Sequence, residues 1–274
     1  MAPRPMPAPD KRREDDTPIA GWTAFPYAGE YRFAAEDVAR QWDRLHAGDA
    51  EPLPRQPAVL RAWALCHEGA FEQAAEAGLL AGGDGLTVAN KAMTLQATHL
   101  ETKERTRLDL LLEVASQAER QTQDQPENPN AWYWRAVALG RYSQGISVAK
   151  ALADGLGTQV RQALERTLAL QPRHADAHIA LGMFHAEVID KVGALIGGMT
   201  YGAKRQAGVQ WLREGLRLNR SPLALMEAAN GLLMLEGDAA REEAQALYEE
   251  AAGLEPVDAI DRLNVERARA ELQD

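Results

Sequence analysis

The fold is decided by the stretch VRQALERTLALQP, residues 160–172, which carries apolar residues at helical spacing ahead of a terminating proline. Two further stretches share this design, GVQWLREGLRLNR over residues 208–220 and AQALYEEAAGLEP over residues 244–256. Phe, Trp and Tyr together make up only 6% of the chain, and Ala and Leu dominate its apolar residues, which favours helices over sheet. Repetition of one amphipathic helix predicts an all-α chain built from helical hairpins.

The first helix of each hairpin starts at a proline-marked boundary, as in NPNAWYWRAVALGRY from residue 128 and RHADAHIALGMFH from residue 173. These stretches resemble tetratricopeptide repeats, whose first helix favours an aromatic residue, then Leu-Gly, then an aromatic residue. The matching positions of one repeat are His178, Leu181, Gly182 and His185, and those of a less faithful repeat are Trp132, Arg135, Ala136 and Leu139. The resemblance implies a right-handed superhelix of antiparallel helical hairpins with a concave binding surface.

Two hairpins are longer than this repeat requires. Pro126 and Pro172 are 46 residues apart, and Pro172 and Arg220 are 48 residues apart, against a usual period of about 34. The extra residues are RYSQGISVAKALADGLG (141–157) and AEVIDKVGALIGGMTYGAK (186–204), and the second predicts a first helix prolonged as far as Met199. The two insertions either pack on each other as core or line an apolar cleft.

Elongated helices followed by LQPRHADAHIALG, residues 170–182, also resemble the regulator of microtubule dynamics family and, more distantly, the T-component of TRAP transporters. This resemblance spans residues 107–258. It implies a helical repeat protein for which apolar or lipid-like ligands are considered.

The prolines divide the chain into three parts. Residues 1–18 are Pro-rich with almost nothing to bury, and we expect them to be disordered. Residues 19–56 form an aromatic N-terminal segment with a capping helix over residues 34–46, and residues 57–274 form the helical solenoid. No apolar stretch typical of a secretory signal or a spanning helix is present, so we expect a cytoplasmic protein without an integral membrane segment.

The composition and motifs argue against most enzyme and nucleic-acid functions. A formal net charge of -10 opposes binding to nucleic acid. The chain lacks the G-x-S-x-G, P-loop, C-x-x-C and H-E-x-x-H motifs, so we expect neither catalysis nor a cofactor. His174, His178 and His185 share a helical face, but the places of His178 and His185 in the repeat explain these two without a metal, and we expect none.

The candidate binding residues lie on and after the two elongated helices. Trp132 and Trp134 offer aromatic anchors, because successive helical side chains point in different directions. The full set is Trp132, Trp134, Arg135, Arg141, Tyr142, Lys150, Lys191, Leu195, Ile196 and Tyr201. The leading interpretation is a scaffold or adaptor that binds a protein or peptide on its concave surface. The alternative is a carrier or sensor of an apolar small molecule held between the elongated hairpins, and the oligomeric state stays open.

Overall fold

The computed structural model describes residues 21–273, and within them every regular element is helical. The helices are α1 (Ala35–Arg40), α2 (Trp42–Leu45), α3 (Pro57–Glu68), α4 (Phe71–Ala81), α5 (Gly85–Leu95), α6 (Glu104–Asp124), α7 (Pro129–Gln144), α8 (Val148–Ala153), α9 (Leu156–Leu170), α10 (Ala175–Val192), α11 (Ala194–Tyr201), α12 (Arg205–Leu218), α13 (Pro222–Glu236), α14 (Arg241–Gly253) and α15 (Ala259–Glu271). A π-helical turn (Gln96–Leu100) extends α5, and a 3₁₀ turn (Gly237–Ala240) precedes α14. The predicted all-α class is confirmed.

Helices close in sequence pack in pairs, α3 with α4, α5 with α6, and α13 with α14. The pairs α7 with α9 and α10 with α12 pack across the short helices α8 and α11. The proline-marked boundaries explain where several begin. The Asn128 side chain accepts hydrogen bonds from the first backbone N–H groups of α7, and Ser221 caps α13 in the same way, each followed by proline at the first helical position. Local sequence therefore sets the helix starts.

Small residues allow α10 and α12 to approach closely. A Cβ atom added at Gly182 in α10 would lie 2.6 Å from the Cγ atom of Leu212 in α12. Any larger residue at this position would push the two helices apart, which explains the glycine that follows Leu181.

The N-terminal segment packs on the helical body. Phe25 and Trp42 belong to the core, and the backbone N–H of Phe33 donates a 2.6 Å hydrogen bond to Oε1 of Glu68 in α3. The helix expected over residues 34–46 is interrupted at Gln41, where φ of -105° and ψ of 10° leave the helical region and separate α1 from α2. The tail expected to be disordered, residues 1–18, lies outside the described residues.

The two insertions fold into separate short helices, α8 and α11. The prediction that α10 continues as far as Met199 is wrong. Gly193 ends α10 with φ of 80° and ψ of 156°, a conformation that glycine adopts readily and other residues rarely do. The apolar stripe is thereby divided, because Val188 stays on α10 while Leu195 and Met199 lie on α11.

Candidate functional site

A cavity of about 220 Å³ lies between α7, α9 and α10, in the region of the two insertions. Helix α8 contributes Val148 and Leu152 to its lining, and the last residue of α11, Tyr201, faces it as well. The insertions therefore contribute part of the wall of this cavity.

Most of the cavity wall is apolar and already part of the protein core. Its buried members include Leu95, Val160, Leu164, Ile179, Met183 and Phe184. Such a wall stabilises an apolar group by removing it from water, at roughly 25 cal/mol per Å² of buried apolar surface.

One part of the lining carries charge. Arg141 in α7 donates from Nη2 to Oε1 of Glu227 in α13 at 2.7 Å. Burial alone would raise the pKa of Glu227, but the Arg141 guanidinium holds it below its usual value. Arg267 of α15 also lines the cavity. Two guanidinium groups thus stand near the Glu227 carboxylate, and Glu187 lines the cavity near Arg141 as well.

The π-helical turn places His99 at the same charged part of the lining. Burial, together with the positive charges of Arg267 and Arg141, lowers the pKa of His99 to about 4. A neutral imidazole presents one donor and one acceptor nitrogen. Because π-helical turns occur frequently at functional sites, this interruption of α5 supports the choice of this cavity.

The predicted site residues divide into two groups. Trp134, Arg141, Lys191 and Tyr201 line the cavity together. The other predicted residues lie outside its lining: Trp132, Arg135, Tyr142, Lys150, Leu195 and Ile196.

Three of the outlying residues have polar partners of their own, and one of them is Lys150, whose Nζ donates to Oδ2 of Asp154 at 2.8 Å. The Trp132 indole N–H donates to the Pro126 carbonyl oxygen at 3.0 Å. Arg135 donates to Oε1 of Glu119 at 3.1 Å. Of the two predicted aromatic anchors, Trp132 and Trp134, only Trp134 lines the cavity.

Sequence reasoning missed several polar residues of the lining, among them Glu227, Arg267 and His99. One signal was available for Glu227, since it is the only charged residue in the apolar run LALMEAANGLLML, residues 223–235. Charged residues are almost never buried unless they are paired. Arg267 and His99 carry no comparable local signal.

A second group of charged residues is buried away from the cavity wall. Lys91 of α5 donates to Oδ2 of Asp49 at 2.8 Å, and Oδ1 of Asp49 lies 2.9 Å from Nδ1 of His46. His46 and His67 approach to 3.4 Å, and His67 Nδ1 lies 2.6 Å from Oδ2 of Asp258. We call these five residues the buried polar chain.

The buried polar chain stabilises its own charges. Burial alone would raise the pKa of Asp49, but the charge of Lys91 and the hydrogen bond to His46 hold it well below its usual range. Burial lowers the pKa of His46 to about 4, so its imidazole is neutral near pH 7. The buried polar chain joins the N-terminal segment to α3, α5 and the start of α15, which gives this cluster a structural role.

The three histidines that share a face of the α10 region have separate partners. His174 Nε2 lies 2.9 Å from Oδ1 of Asn130, and His178 Nε2 lies 3.0 Å from the Pro172 carbonyl oxygen. His185 Nδ1 accepts from the backbone N–H of Lys204 at 3.2 Å. Over residues 21–273, no group of three or more His, Cys, Asp or Glu side chains could hold a metal ion.

A second cavity, of about 590 Å³, separates the N-terminal segment from α3 and α4. Two acidic side chains cross it, Glu68 accepting from Phe33 and Glu72 accepting from the backbone N–H of Trp22 at 3.3 Å. These bonds hold the segment to the body, so the cavity belongs to that contact.

No helix within the described part of the chain is both long enough and apolar enough to span a bilayer.

Comparison with known families gives one match. The model of the family described as regulator of microtubule dynamics protein 1-3 matches residues 85–191, less than half of the chain. The matched range runs from α5 to the end of α10 and contains most of the cavity lining. No curated protein matches the chain. The chain is thus similar to this family over the cavity region, while the resemblances to tetratricopeptide repeats and to the TRAP T-component stay predictions.

Proposed function

We propose that this chain is a non-catalytic helical-repeat protein that binds a protein or peptide partner and holds an apolar group of that partner in the cavity between α7, α9 and α10. The observation that carries the proposal is the cavity itself, with buried apolar walls and a charged end at Arg141, Glu227 and Arg267. Apolar walls provide affinity, and a few placed polar groups provide orientation.

The similarity over residues 85–191 supports this kind of role and suggests which partners to try first. The matched family is named for the regulation of microtubule dynamics, so proteins associated with microtubules are the first candidates. The chain's net charge of -10 favours partners that present a basic or neutral surface.

The sharpest test fills the cavity without disturbing the fold. Gly140 of α7 lines the cavity, and a Cβ atom added there meets nothing within 4 Å. Gly140→Leu should therefore occupy the cavity and also favour the helix by up to about 1 kcal/mol. Gly253→Leu is the matched control, because Gly253 ends α14, has equally open surroundings and is not part of the lining.

The two proteins are compared with the wild type in pull-downs with candidate partners. We expect Gly140→Leu to lose the partner at least tenfold while Gly253→Leu retains it, because only the first substitution blocks the cavity. Equal retention by both variants would refute a role of the cavity in partner binding. Trp134→Ala is a poorer test, since Trp134 is a buried core residue and its loss would destabilise the protein.

The second candidate is a carrier or sensor of an apolar small molecule, favoured by the predominance of apolar side chains in the wall. Native mass spectrometry distinguishes the two functions with the same variants. A small retained mass on the wild type and on Gly253→Leu, absent from Gly140→Leu, would favour the carrier. A bare wild-type chain that still binds a protein partner would favour the scaffold.

A further inference from the structure

Helix α11 exposes large apolar side chains to solvent. Leu195 is 77% exposed, Ile196 is 56% exposed and Met199 is 82% exposed. A single exposed leucine on a protein surface requires no explanation, but three such residues on one helix of eight residues form a continuous apolar patch. This helix gains little from burial against the rest of the chain.

Helix α8 also exposes apolar side chains, beside the cavity. Val148 and Leu152 are each 42% exposed, and both also line the cavity. Both short helices contact the region of α9, and Arg161 of α9 donates to the carbonyl oxygen of Tyr201 at 2.7 Å, which holds the end of α11 in place. We call Val148, Leu152, Leu195, Ile196 and Met199 the apolar rim.

Basic residues flank α11 on both sides. Lys191 is exposed, and its only ion pair among residues 21–273 is a 4.0 Å contact with Glu187. Lys204 and Arg205 are exposed after α11, and neither side chain forms an ion pair with any described residue. The single exposed acid in this stretch is Asp190. A local excess of positive charge therefore surrounds an apolar helix in a chain of net charge -10.

We propose that the apolar rim docks on the surface of an anionic lipid bilayer. Leu195, Ile196 and Met199 enter the headgroup region, while Lys191, Lys204 and Arg205 contact anionic headgroups. Apolar side chains flanked by Lys and Arg are the combination that holds interfacial helices in the plane of a membrane. Docking in this orientation turns Val148 and Leu152, which line the cavity, toward the bilayer.

The positive charge around the apolar rim argues against a second copy of the chain as the molecule that covers it. A symmetric contact through the apolar rim would bring Lys191, Lys204 and Arg205 of each copy toward those of the other. Like charges across an interface are unfavourable, whereas an anionic bilayer is complementary to the same three residues.

Vesicle co-sedimentation of the full chain tests the proposal. Vesicles of phosphatidylcholine alone are compared with vesicles that also contain phosphatidylserine, at low and high salt. We expect binding to the anionic vesicles that weakens as salt rises, because salt screens the basic residues. Leu195→Ser with Met199→Ser should lower the partition coefficient roughly tenfold or more, as should Lys204→Glu with Arg205→Glu.

Matched controls separate docking from general effects of polarity and charge. Leu80→Ser removes a leucine of α4 that is 90% exposed but lies outside the apolar rim. Arg217→Glu with Arg241→Glu makes the same change in net charge on exposed arginines of α12 and α14. Both controls should bind anionic vesicles as the wild type does, and circular dichroism should show the same helical signal for all variants.

Three results would overturn the proposal. The first is wild-type binding that does not increase with phosphatidylserine. The second is an equal loss of binding in the control variants, which would show that the apolar rim is not the site. The third is a wild-type dimer that Leu195→Ser with Met199→Ser converts to monomer without any vesicle binding, which would make this face an interface between copies. Gly140→Leu separates this proposal from the cavity function. If that variant loses the protein partner but still binds vesicles, the two functions depend on different parts of the molecule.

Discussion

The buried polar chain and the apolar rim break the usual distribution of side chains in opposite ways. In the buried polar chain, Lys91 and Asp49 are charged residues inside the protein, and each has a partner within 3 Å. In the apolar rim, Leu195 and Met199 are apolar residues outside it, with no partner in the described chain that covers them. The first arrangement is complete within the fold, whereas the second leaves a surface that only another molecule could cover.

The comparison teaches where substitutions should affect folding and where they should affect binding. A buried charge that loses its partner destabilises the protein, because the remaining charge stays desolvated. An exposed apolar residue contributes little to folding, because unfolding does not change its contact with water greatly. The following predictions test this separation, from the largest expected effect to the smallest.

Asp49→Ala should have the largest effect on stability. It leaves the Lys91 ammonium buried without its carboxylate, and we expect a loss of about 3–5 kcal/mol in the free energy of unfolding measured by urea denaturation. Asp238→Ala is the control, since that carboxylate is 89% exposed and its pair with Arg241 contributes about 0–1 kcal/mol. Adding Lys91→Met to Asp49→Ala should restore part of the lost stability, and equal losses for Asp49→Ala and Asp238→Ala would contradict the role of the buried polar chain.

Arg141→Ala should destabilise the protein less. Its side chain is 25% exposed, and that of Glu227 is 10% exposed, so solvent partly compensates the carboxylate that is left behind. We expect a loss of about 2 kcal/mol in the same measurement. The double variant Arg141→Ala with Glu227→Leu should be more stable than Arg141→Ala alone. A double variant that is no more stable would mean that the ion pair across the cavity does not account for the loss.

Asp176 lies between the buried polar chain and the cavity, because it lines the cavity and is close to Asp49. Burial and the charge of Asp49 raise its pKa to about 7. A carboxyl group with a raised pKa in the folded state contributes stability below its unfolded pKa, and that contribution is lost as the pH rises through about 7.

Asp176→Asn removes this titration, so the variant should gain stability over the wild type as the pH is raised from 5 to 8. We expect roughly 1–2 kcal/mol, reduced from the full linkage value because the side chain is partly exposed. Urea denaturation at both pH values measures the difference. A constant difference between wild type and variant across that range would show that Asp176 titrates normally.

Leu195→Ser with Met199→Ser should have the smallest effect on folding, within about 0.5 kcal/mol, because both side chains are already in water. Leu232→Ala is the comparison in the core. Its side chain is fully buried, and we expect a loss of about 2–5 kcal/mol in thermal or urea denaturation. A large destabilisation by the double serine variant would show that α11 packs against the body more than its exposure indicates.

The sequence alone determined the helical class and many of the helix boundaries. The stretch at residues 160–172 predicted a helix that the structure places at Leu156–Leu170, and the predicted helix starts near residues 128 and 173 are confirmed at Pro129 and Ala175. The helical class and the helix boundaries depend on residues close together in the chain, through apolar spacing, proline stops and polar caps. The same local pattern also located both insertions.

Only the tertiary structure decided which predicted residues meet. Trp132 and Trp134 are neighbours in sequence, yet only Trp134 lines the cavity, because successive residues of a helix point to different sides. His67 and Asp258 lie 2.6 Å apart across a separation of 191 residues, which no local spacing could indicate.

Leu195 and Leu212 show why the outcome differs for residues of one type. Both are leucines placed at helical spacing, but Leu212 is fully buried and Leu195 is 77% exposed. Periodicity determines which residues share the face of a helix. Whether another element covers that face depends on the packing of helices far apart in sequence, and Gly193 turns α11 away from the core that α10 joins.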